Sequence, residues 1–268
     1  MPTTARQILR FRSLVATLVA RELAARYRGS LLGFFWSLVN PLLLLAVYTF
    51  VFGLVFRPPQ AGLTTPYALF LITGLFPWVW VSSSLLEGTL SLVANAGLIR
   101  KAVFPAEVLP TVAVLSNLVH FAFALPVLGV ALVAGRLLGY EVGGWTVLLL
   151  PAVIALELPL VAGLALGLAA VNVHFKDVKD LLINLLTLLF FLTPILYPLE
   201  AVTLPALRAL IRWGNPFTPF TLALQDLLFR GVMPAPAVWA HMVAAGALGW
   251  AVGTFFYARL ADTLVEAV

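Results

Sequence analysis

Six long, nearly unbroken apolar stretches constrain the fold of this 268-residue chain more than any other feature. A helix needs about 20 mostly apolar residues to cross the hydrocarbon core of a bilayer. Strands of a membrane barrel would alternate apolar and polar residues, which these stretches do not. We therefore predict an all-α polytopic membrane protein with six transmembrane helices, at residues 31–56, 66–90, 108–134, 146–171, 181–199 and 236–258.

The composition agrees with this class and excludes others. Hydrophobic residues make up 62% of the chain and charged residues only 10%, whereas about a quarter of a soluble domain is charged. Disordered chains have low hydrophobicity, so the composition also excludes a disordered protein. The chain has no cysteine, which excludes disulfide scaffolds and thiolate metal sites.

The basic residues predict the orientation, because cytoplasmic loops of membrane proteins are enriched in lysine and arginine. Six spans put both termini, including the tail at 259–268, on the same side. If that side is cytoplasmic, the outer side holds only a minority of the 16 basic residues: Arg57, Arg136, Arg208, Arg212 and Arg230. The sequence therefore predicts that both termini are cytoplasmic.

Two segments outside the spans also predict helices. In residues 1–30, arginines recur at three- and four-residue steps on one side and apolar residues such as Val15 and Leu18 on another, which is typical of an amphipathic helix on the cytoplasmic leaflet. The short apolar run at 13–20 is followed directly by charged residues, so we expect no cleavable signal peptide. Residues 200–235 are too polar to span and too apolar for a loop; they predict two short re-entrant helices in the outer leaflet.

The sequence lacks the motifs of several enzyme classes. None of the lysines, Lys101, Lys176 and Lys179, follows a glycine, so the phosphate-binding G-x-x-x-x-G-K-[ST] loop is absent. The H-E-x-x-H and G-x-S-x-G patterns are absent too, and the three histidines fall in different segments, which gives little support to a metal site. An intramembrane serine–histidine hydrolase is not excluded by spacing alone.

Ionisable and aromatic residues inside the spans have two interpretations each. Glu157 and His120 could form a proton or substrate relay, although a single polar contact between packed helices is the favoured interpretation. Tryptophans near predicted span ends, such as Trp78 and Trp80, fit an interfacial belt. Deeper aromatic residues face lipid or line a conduit along which sugar rings slide: Trp36, Tyr48, Phe52, Phe190, Phe191 and Tyr197.

Two cytoplasmic loops are either solvated turns or a docking surface for a cytosolic partner. They read NAGLIRKAVFPAEVLP at 95–110 and VNVHFKDVKD at 171–180. An exposed aromatic side chain such as Phe104 favours docking, because nothing within the chain explains its exposure to water.

Four stretches together resemble the permease subunits of polysaccharide-exporting ABC transporters, which handle O-antigen, teichoic acid or capsular polysaccharide within the type-two ABC permease superfamily. The stretches are RELAARYRGSLLGFFWSLVNPLLLLAVYTFVFG (21–53), NAGLIRKAVFPAEVLP (95–110), VNVHFKDVKDLLINLLTLLFFLTPILYP (171–198) and NPFTPFTLALQDLLFRG (215–231). The resemblance implies a homodimer in the bacterial inner membrane that pairs with two copies of a cytosolic ATPase. The ATPase would bind ATP and Mg²⁺, and this chain would bind no cofactor and no nucleic acid, only membrane lipids and a lipid-linked polysaccharide.

The resemblance also implies roles for individual residues. The loop at 91–107 would hold a coupling helix that contacts the ATPase, with further contacts from the second loop: Arg100, Lys101, Phe104, Pro105, Glu107, Lys176 and Asp177. Arg26 and Arg28 would receive the pyrophosphate headgroup, and the deeper aromatic residues would line the channel. The two re-entrant helices would form a periplasmic gate. Ala106 stands where the family often has a basic residue, and Lys176 where arginine is common.

Two other classes of transporter remain open. A related ABC permease exporting a lipid, a drug or a lipo-oligosaccharide would share these features. An ATP-independent transporter or channel would predict inverted repeats and clustered charges at mid-membrane, and neither is visible in the sequence. A membrane-embedded enzyme would need a convergent catalytic set.

Overall fold

The computed structural model describes residues 6–7, 10–29, 33–55, 66–101 and 105–264, and the regular secondary structure within these ranges is entirely helical. We number the α-helices in chain order: α1 Arg12–Tyr27, α2 Trp36–Tyr48, α3 Tyr67–Ala94, α4 Ala96–Lys101, α5 Val108–Leu137, α6 Leu150–His174, α7 Val178–Leu192, α8 Pro205–Ala209, α9 Thr218–Leu224 and α10 Pro236–Leu260. Turns of a different pitch extend three of them: α2 through Thr49–Val55, α8 through Leu210–Gly214 and α9 through Gln225–Arg230.

Four helical segments are long and apolar enough to cross a membrane: Tyr67–Ala94, Val108–Leu137, Trp145–His174 and Pro236–Thr263. They confirm the expected helices at the second, third, fourth and sixth apolar stretches. The first stretch forms the shorter apolar helix Leu38–Gly53. The fifth forms α7, which has 15 residues and ends at Leu192, before the predicted boundary at 199. Membrane crossing by these two stays a prediction, because each falls short of about 20 residues.

Helix α3 lies at the centre of the bundle and packs against α2, α5, α6 and α7. Its side chains Phe70, Leu71, Ile72 and Leu75 are fully buried. Trp78 and Trp80 are buried as well, so the prediction that they belong to an interfacial belt is wrong. The physical reason is the length of α3, whose 28 residues run past Glu87 to Ala94 and leave both tryptophans well inside the helix.

Helices α6 and α10 form the most extensive helix–helix contact, along a seam of glycines. A Cβ atom on Gly163 would lie 2.5 Å from the Trp250 Cα, and one on Gly167 would lie 2.9 Å from the Gly253 Cα. A Cβ on Gly253 would overlap the Gly163 carbonyl oxygen. Small residues of this kind let helix backbones approach closely in membrane proteins. We call this contact the glycine seam.

The amino-terminal helix α1 packs on the start of α5. Val15 and Leu18 form a buried cluster with Val108 and Val112, so the apolar side predicted from the sequence contacts another helix of the same chain. The position of α1 on a membrane surface stays a prediction.

The segment expected to contain two short helices does contain them. Its second helix, α9 with its extension, is buried and packs against α3 and α10. The first helix, α8 with its extension, is largely exposed, and Ile211 is its buried side chain. Two hydrogen bonds tie the segment to the turn after α7: Asn215 Nδ2 to Thr193 Oγ1 at 2.9 Å and Gln225 Nε2 to the Pro194 carbonyl at 2.6 Å. The position of the segment in a bilayer stays a prediction.

Candidate functional site

A continuous set of aromatic rings lies where α2, α3 and α7 meet. The ring centroids of Tyr48 and Phe190 are 5.4 Å apart, those of Tyr48 and Phe52 6.2 Å, and those of Phe190 and Phe191 5.2 Å. Trp78 extends the set from α3, with its centroid 6.0 Å from that of Phe190. The structure thus brings together four of the six aromatic residues expected to line a channel. It adds Trp78, for which the sequence predicts a place in an interfacial belt.

Tyr48, Trp78, Phe190 and Phe191 line an open groove of about 300 Å³, and Phe52 is not among its lining residues. Its hydroxyl-bearing members are Tyr48, Ser82 and Thr187, and the other lining side chains are aliphatic or aromatic. Such a surface offers flat ring faces and few hydrogen-bonding groups, so it can contact a polymer without holding any one repeat strongly. We call it the aromatic groove.

The other two aromatic candidates lie elsewhere. The Tyr197 hydroxyl donates a hydrogen bond to the Phe191 carbonyl at 3.0 Å, and it thereby fixes the end of α7. Trp36, at the start of α2, lines a separate cavity beside Arg26.

Arg26 is part of a closed set of three polar side chains between α1, α3 and α5. Its Nη2 forms an ion pair with Glu87 Oε2, and its Nη1 lies 3.3 Å from Asn117 Oδ1. Asn117 Nδ2 donates to Glu87 Oε2 at 2.6 Å. The side chains of Arg26 and Glu87 are 31% and 35% exposed. We call these three residues the Arg26 triad.

The Arg26 triad borders a cavity of about 310 Å³, which we call the α1–α5 cavity. Its walls combine polar and aromatic side chains: Arg26, Trp36, Asn40, Pro41, Phe76, Val79, Trp80, Ser83, Asn117, His120, Phe121 and Ala124. His120, one of the two intramembrane ionisable candidates, therefore lies in a cavity wall. Arg28 is exposed at the end of α1 and is not among the lining residues.

The other intramembrane candidate, Glu157, is buried in α6. None of the described residues donates a hydrogen bond to its Oε2, and it does not line the cavity that holds His120. The structure therefore does not bring the two together as a relay. Within the described residues, no three His, Asp or Glu side chains are close enough to share a metal ion.

On the predicted cytoplasmic side, Arg100 is exposed on α4 and Lys176 and Asp177 are exposed in the turn before α7. Phe104 and the side chain of Lys101 lie outside the described residues, and Pro105 begins the next described segment. Glu107 is only 7% exposed, and its Oε2 accepts a hydrogen bond from the Tyr257 hydroxyl at 3.1 Å.

A second contact joins the loop at 171–180 to the turn Ala261–Thr263, which follows α10 directly. The His174 ring lies with Nδ1 3.0 Å from the Ala170 carbonyl and Nε2 2.9 Å from Thr263 Oγ1. Tyr257 also belongs to a buried apolar cluster that includes Ile99, Leu109 and Leu264. The end of α10 therefore connects both predicted docking loops, and we call this region the α10 clasp.

The segment at 200–235 carries its own charge network. Arg230 contacts Asp226 Oδ1 at 3.1 Å and Glu200 Oε2 at 3.3 Å. Burial raises the pKa of Asp226 above its ordinary value, although the Arg230 charge opposes that change.

Sequence comparisons identify related proteins. The model of the ABC-2 type transporter family matches residues 13–229. The O-antigen export system permease protein RfbA of Myxococcus xanthus is 37% identical over 255 residues, which cover 95% of each chain. RfbA of Klebsiella pneumoniae is 32% identical over 82% of each chain. The polysialic acid transport protein KpsM of Escherichia coli is 26% identical over 70% of this chain and 71% of KpsM.

Proposed function

The chain belongs to the ABC-2 type transporter family, and we propose that it is the transmembrane subunit of an ABC transporter that exports a lipid-linked polysaccharide. The similarity to an O-antigen export permease over 95% of both chains carries this proposal. The KpsM relative, named for polysialic acid transport, supports a polysaccharide substrate rather than a drug.

A separate cytosolic ATPase supplies the energy in this proposal. The sequence has no phosphate-binding Gly-Lys loop, so ATP and Mg²⁺ bind to the partner. Two copies of this chain pair with two copies of the ATPase. The permease then contributes the path and the docking surface, and no catalytic residue.

We further propose that the protein spans the bacterial inner membrane six times with both termini in the cytoplasm. The four long helical segments supply four spans. Helix α2 with its extension and α7 with the turn that follows it supply the other two. Both carry many exposed apolar side chains, including Leu43 and Val47 on α2 and Leu181 and Leu188 on α7, which suits contact with lipid or with a second copy. Helices α8 and α9 are the re-entrant pair.

The aromatic groove forms half of the polysaccharide path, and a second copy completes it. Its ring faces contact sugar C–H faces without directional bonds, which favours movement of a polymer over tight binding. Tyr48, Phe190 and Phe191 form this wall together with Trp78.

The coupling surface consists of the two cytoplasmic loops. Arg100, Lys101, Phe104 and Pro105 contact the ATPase from the first loop, and Lys176 and Asp177 do so from the second. Glu107 acts from the interior, because its hydrogen bond with Tyr257 links the first loop to α10.

Reconstitution of the permease with its ATPase tests the function. We expect the two proteins to purify together, and the lipid-linked polysaccharide to stimulate ATP hydrolysis and to cross the membrane only when ATP is present. Stimulation by a lipid or drug alone would support the related exporter class instead. Transport that continues without the ATPase would contradict the proposal.

Substitution of Phe104 tests the coupling surface. A Phe104→Asp variant should retain the dimer but lose export, because a charge replaces the apolar side chain that enters the partner. Phe104→Leu keeps an apolar side chain and serves as the control. Normal export by Phe104→Asp would contradict the assignment.

A further inference from the structure

An open recess of about 390 Å³ lies between α5, α6 and α10. Val114 and Leu115 line it from α5, Leu158 and Ala162 from α6, and Trp250 from α10. We call it the apolar recess. The described residues that line it are all different from those of the aromatic groove and of the α1–α5 cavity, so the proposed polysaccharide path does not account for it.

The wall of the apolar recess offers nothing to a polar ligand. Nitrogen and oxygen atoms of the described lining residues do not contribute to its surface. Thr111 also lines the recess, but its hydroxyl donates to the Glu107 carbonyl at 3.4 Å. A buried water needs about two to four polar partners, and a sugar or phosphate without partners is costly to bury. The recess therefore accepts a hydrocarbon group.

The depth and the size of the recess select a thin occupant. Val114 is 0% exposed and Ala162 is 7% exposed, whereas Leu115, Leu158 and Trp250 are partly exposed. A helix with its side chains is about 10–12 Å across, so one turn takes up about 400–600 Å³. A helix of a second copy is thus too wide to enter, and it would lie across the opening without reaching Val114. A single hydrocarbon chain can enter.

The recess lies within segments that are long and apolar enough to cross a membrane. The hydrogen bond between Glu107 and Tyr257 sets a common level at the predicted cytoplasmic ends of α5 and α10. At 1.5 Å per residue along each helix, Thr111 lies about 6 Å above this level and Trp250 about 10 Å above it. Half of the hydrocarbon core of a bilayer is about 15 Å thick, so the recess opens into one leaflet.

The third helix of the recess is deeper in the same leaflet. A Cβ on Gly246 would lie 2.8 Å from the Leu156 carbonyl oxygen, so these two residues share a level. Leu158 is therefore about 13 Å above the Glu107 level. An acyl chain that enters from the cytoplasmic leaflet would pass Thr111 before Leu158.

The surrounding bilayer supplies such a chain. An empty recess leaves its lining side chains without van der Waals partners on one side. Lipid tails are as apolar as leucine side chains, so an acyl chain moves from the bilayer into the recess without losing any polar contact and restores those partners.

We propose that one acyl chain of a cytoplasmic-leaflet phospholipid occupies the apolar recess and stabilises the packing of α5 on α6 and α10. The chain contacts Trp250, whose Cα is part of the glycine seam. It also contacts Thr111, one turn from the Glu107 of the α10 clasp. The choice of leaflet rests on the proposed function and its topology, whereas the binding of an acyl chain does not.

Photolabelling of the assembled transporter tests the site. The probe is phosphatidylethanolamine with a diazirine in one acyl chain, incorporated with the full-length permease–ATPase complex into nanodiscs, and mass spectrometry locates the labelled residues. We expect label on Val114 and Ala162, because only a chain inside the recess reaches these buried residues. Label confined to exposed side chains such as Val133, which is 59% exposed, would overturn the proposal.

Variants that fill the recess test its specificity. Ala162→Phe should lower the labelling of Val114 by about fivefold or more, because a close-packed space leaves no room for a chain. Leu115→Phe fills the recess from α5 and replaces Ala162→Phe if that variant does not assemble. Val133→Phe adds the same ring to an exposed position on α5 and should leave the labelling of Val114 unchanged. Unchanged labelling in a folded filling variant would contradict the site.

Thermal unfolding separates a stabilising lipid from an incidental one. The wild-type complex, stripped of lipid in detergent, should gain about 2–4 °C in its unfolding midpoint when phosphatidylethanolamine is added back. Ala162→Phe should lose about half of this gain or more, because its own side chain replaces the chain, and Val133→Phe should keep it. Equal gains in the two variants would refute the stabilising role.

Competition identifies the kind of lipid. Unlabelled phosphatidylethanolamine should reduce the labelling of Val114, and farnesyl diphosphate at the same concentration should not. Displacement by farnesyl diphosphate would assign the recess to the lipid part of the substrate and overturn the phospholipid assignment.

The position of the diazirine in the chain tests the leaflet. A diazirine near the carboxyl end should label Thr111, and one near the methyl end should label Leu158. The reverse order would place the lipid in the outer leaflet and overturn that part of the proposal.

Polysaccharide export by the same complexes separates this inference from the proposed function. ATP-driven export by a wild-type complex that carries no label on Val114 overturns only the lipid site. Label on Val114 in a complex that exports no polysaccharide contradicts the proposed function and supports the acyl-chain site.

Discussion

The glycine seam and the aromatic groove are two very different helix contacts. At the seam, α6 and α10 approach so closely that a Cβ on Gly163 would lie 2.5 Å from a backbone atom of the other helix. At the groove, α2 and α7 contribute large rings, and these helices keep exposed apolar side chains such as Leu43, Val47 and Leu188. The seam leaves no space between α6 and α10, whereas the helices of the groove leave an apolar surface exposed.

This difference separates a part of the protein that is complete within one chain from a part that is not. Backbone contact at the seam maximises packing between helices in an environment where the hydrophobic effect between them is weak. The groove side needs lipid or a second copy to cover it. We therefore expect substitutions at the seam to affect stability and substitutions at the groove to affect transport.

The largest expected effect comes from filling the seam. Gly253→Leu places a side chain where the Gly163 carbonyl lies, so α6 and α10 must separate, at a cost of more than about 4 kcal/mol. Thermal unfolding in detergent measures it. Gly129→Leu is the matched control, since a Cβ at Gly129 has no atom within 4 Å. Equal stability of the two variants would show that the seam is not close-packed.

Two adjacent phenylalanines sharpen the comparison within the groove. Phe190 is 7% exposed and Phe191 is 52% exposed, although both lie in the same helix and Phe191 also contributes to the groove. Phe190→Ala should cost about 3 kcal/mol of stability. Phe191→Ala should cost about 0.5 kcal/mol or less and still slow export. Comparing thermal stability with export rate for each variant separates packing from transport, and similar stability losses would refute the distinction.

A substitution in the α10 clasp tests whether α10 connects the glycine seam to the two predicted docking loops. Tyr257→Phe removes the donor to Glu107 and leaves a buried carboxylate with one partner fewer, at a cost of about 1–2 kcal/mol. We expect lower stability together with less ATP hydrolysis per unit of substrate added. Tyr140→Phe is the control, because the Tyr140 hydroxyl makes no hydrogen bond with any described residue. An unchanged Tyr257→Phe variant would remove the clasp from the coupling mechanism.

The smallest effect is expected at Asp226, in the extension of α9. Burial raises the pKa of this carboxyl, so its proton stabilises the folded state at acid pH, and that contribution is lost as the pH rises through the folded-state pKa. Asp226→Asn should remove this pH dependence and change the stability by about 1 kcal/mol at most. Unfolding of both proteins across the acid range measures it, and parallel pH profiles would contradict the assignment.

The sequence predicted the helical class and the long helices because both depend on runs of neighbouring residues. It also singled out Arg26, Tyr48, Phe190 and Phe191. It did not identify Glu87 and Asn117 as partners of Arg26. One signal was available for Glu87, which is a carboxylate near the end of the predicted span at 66–90. The burial of Glu107 beneath Tyr257 gave no signal, since the two residues are 150 positions apart.

The sequence by itself therefore determined that the chain is helical, apolar and similar to polysaccharide-exporting permeases, because hydrophobic length and motif order are properties of the linear chain. The tertiary structure alone decided which polar and aromatic side chains meet. In the tertiary structure, Arg26 pairs with Glu87 and Trp78 lies beside Phe190. The glycines of α6 pack against those of α10 within the same chain. The physical reason is that these contacts depend on the order and rotation of packed helices, which local periodicity does not specify.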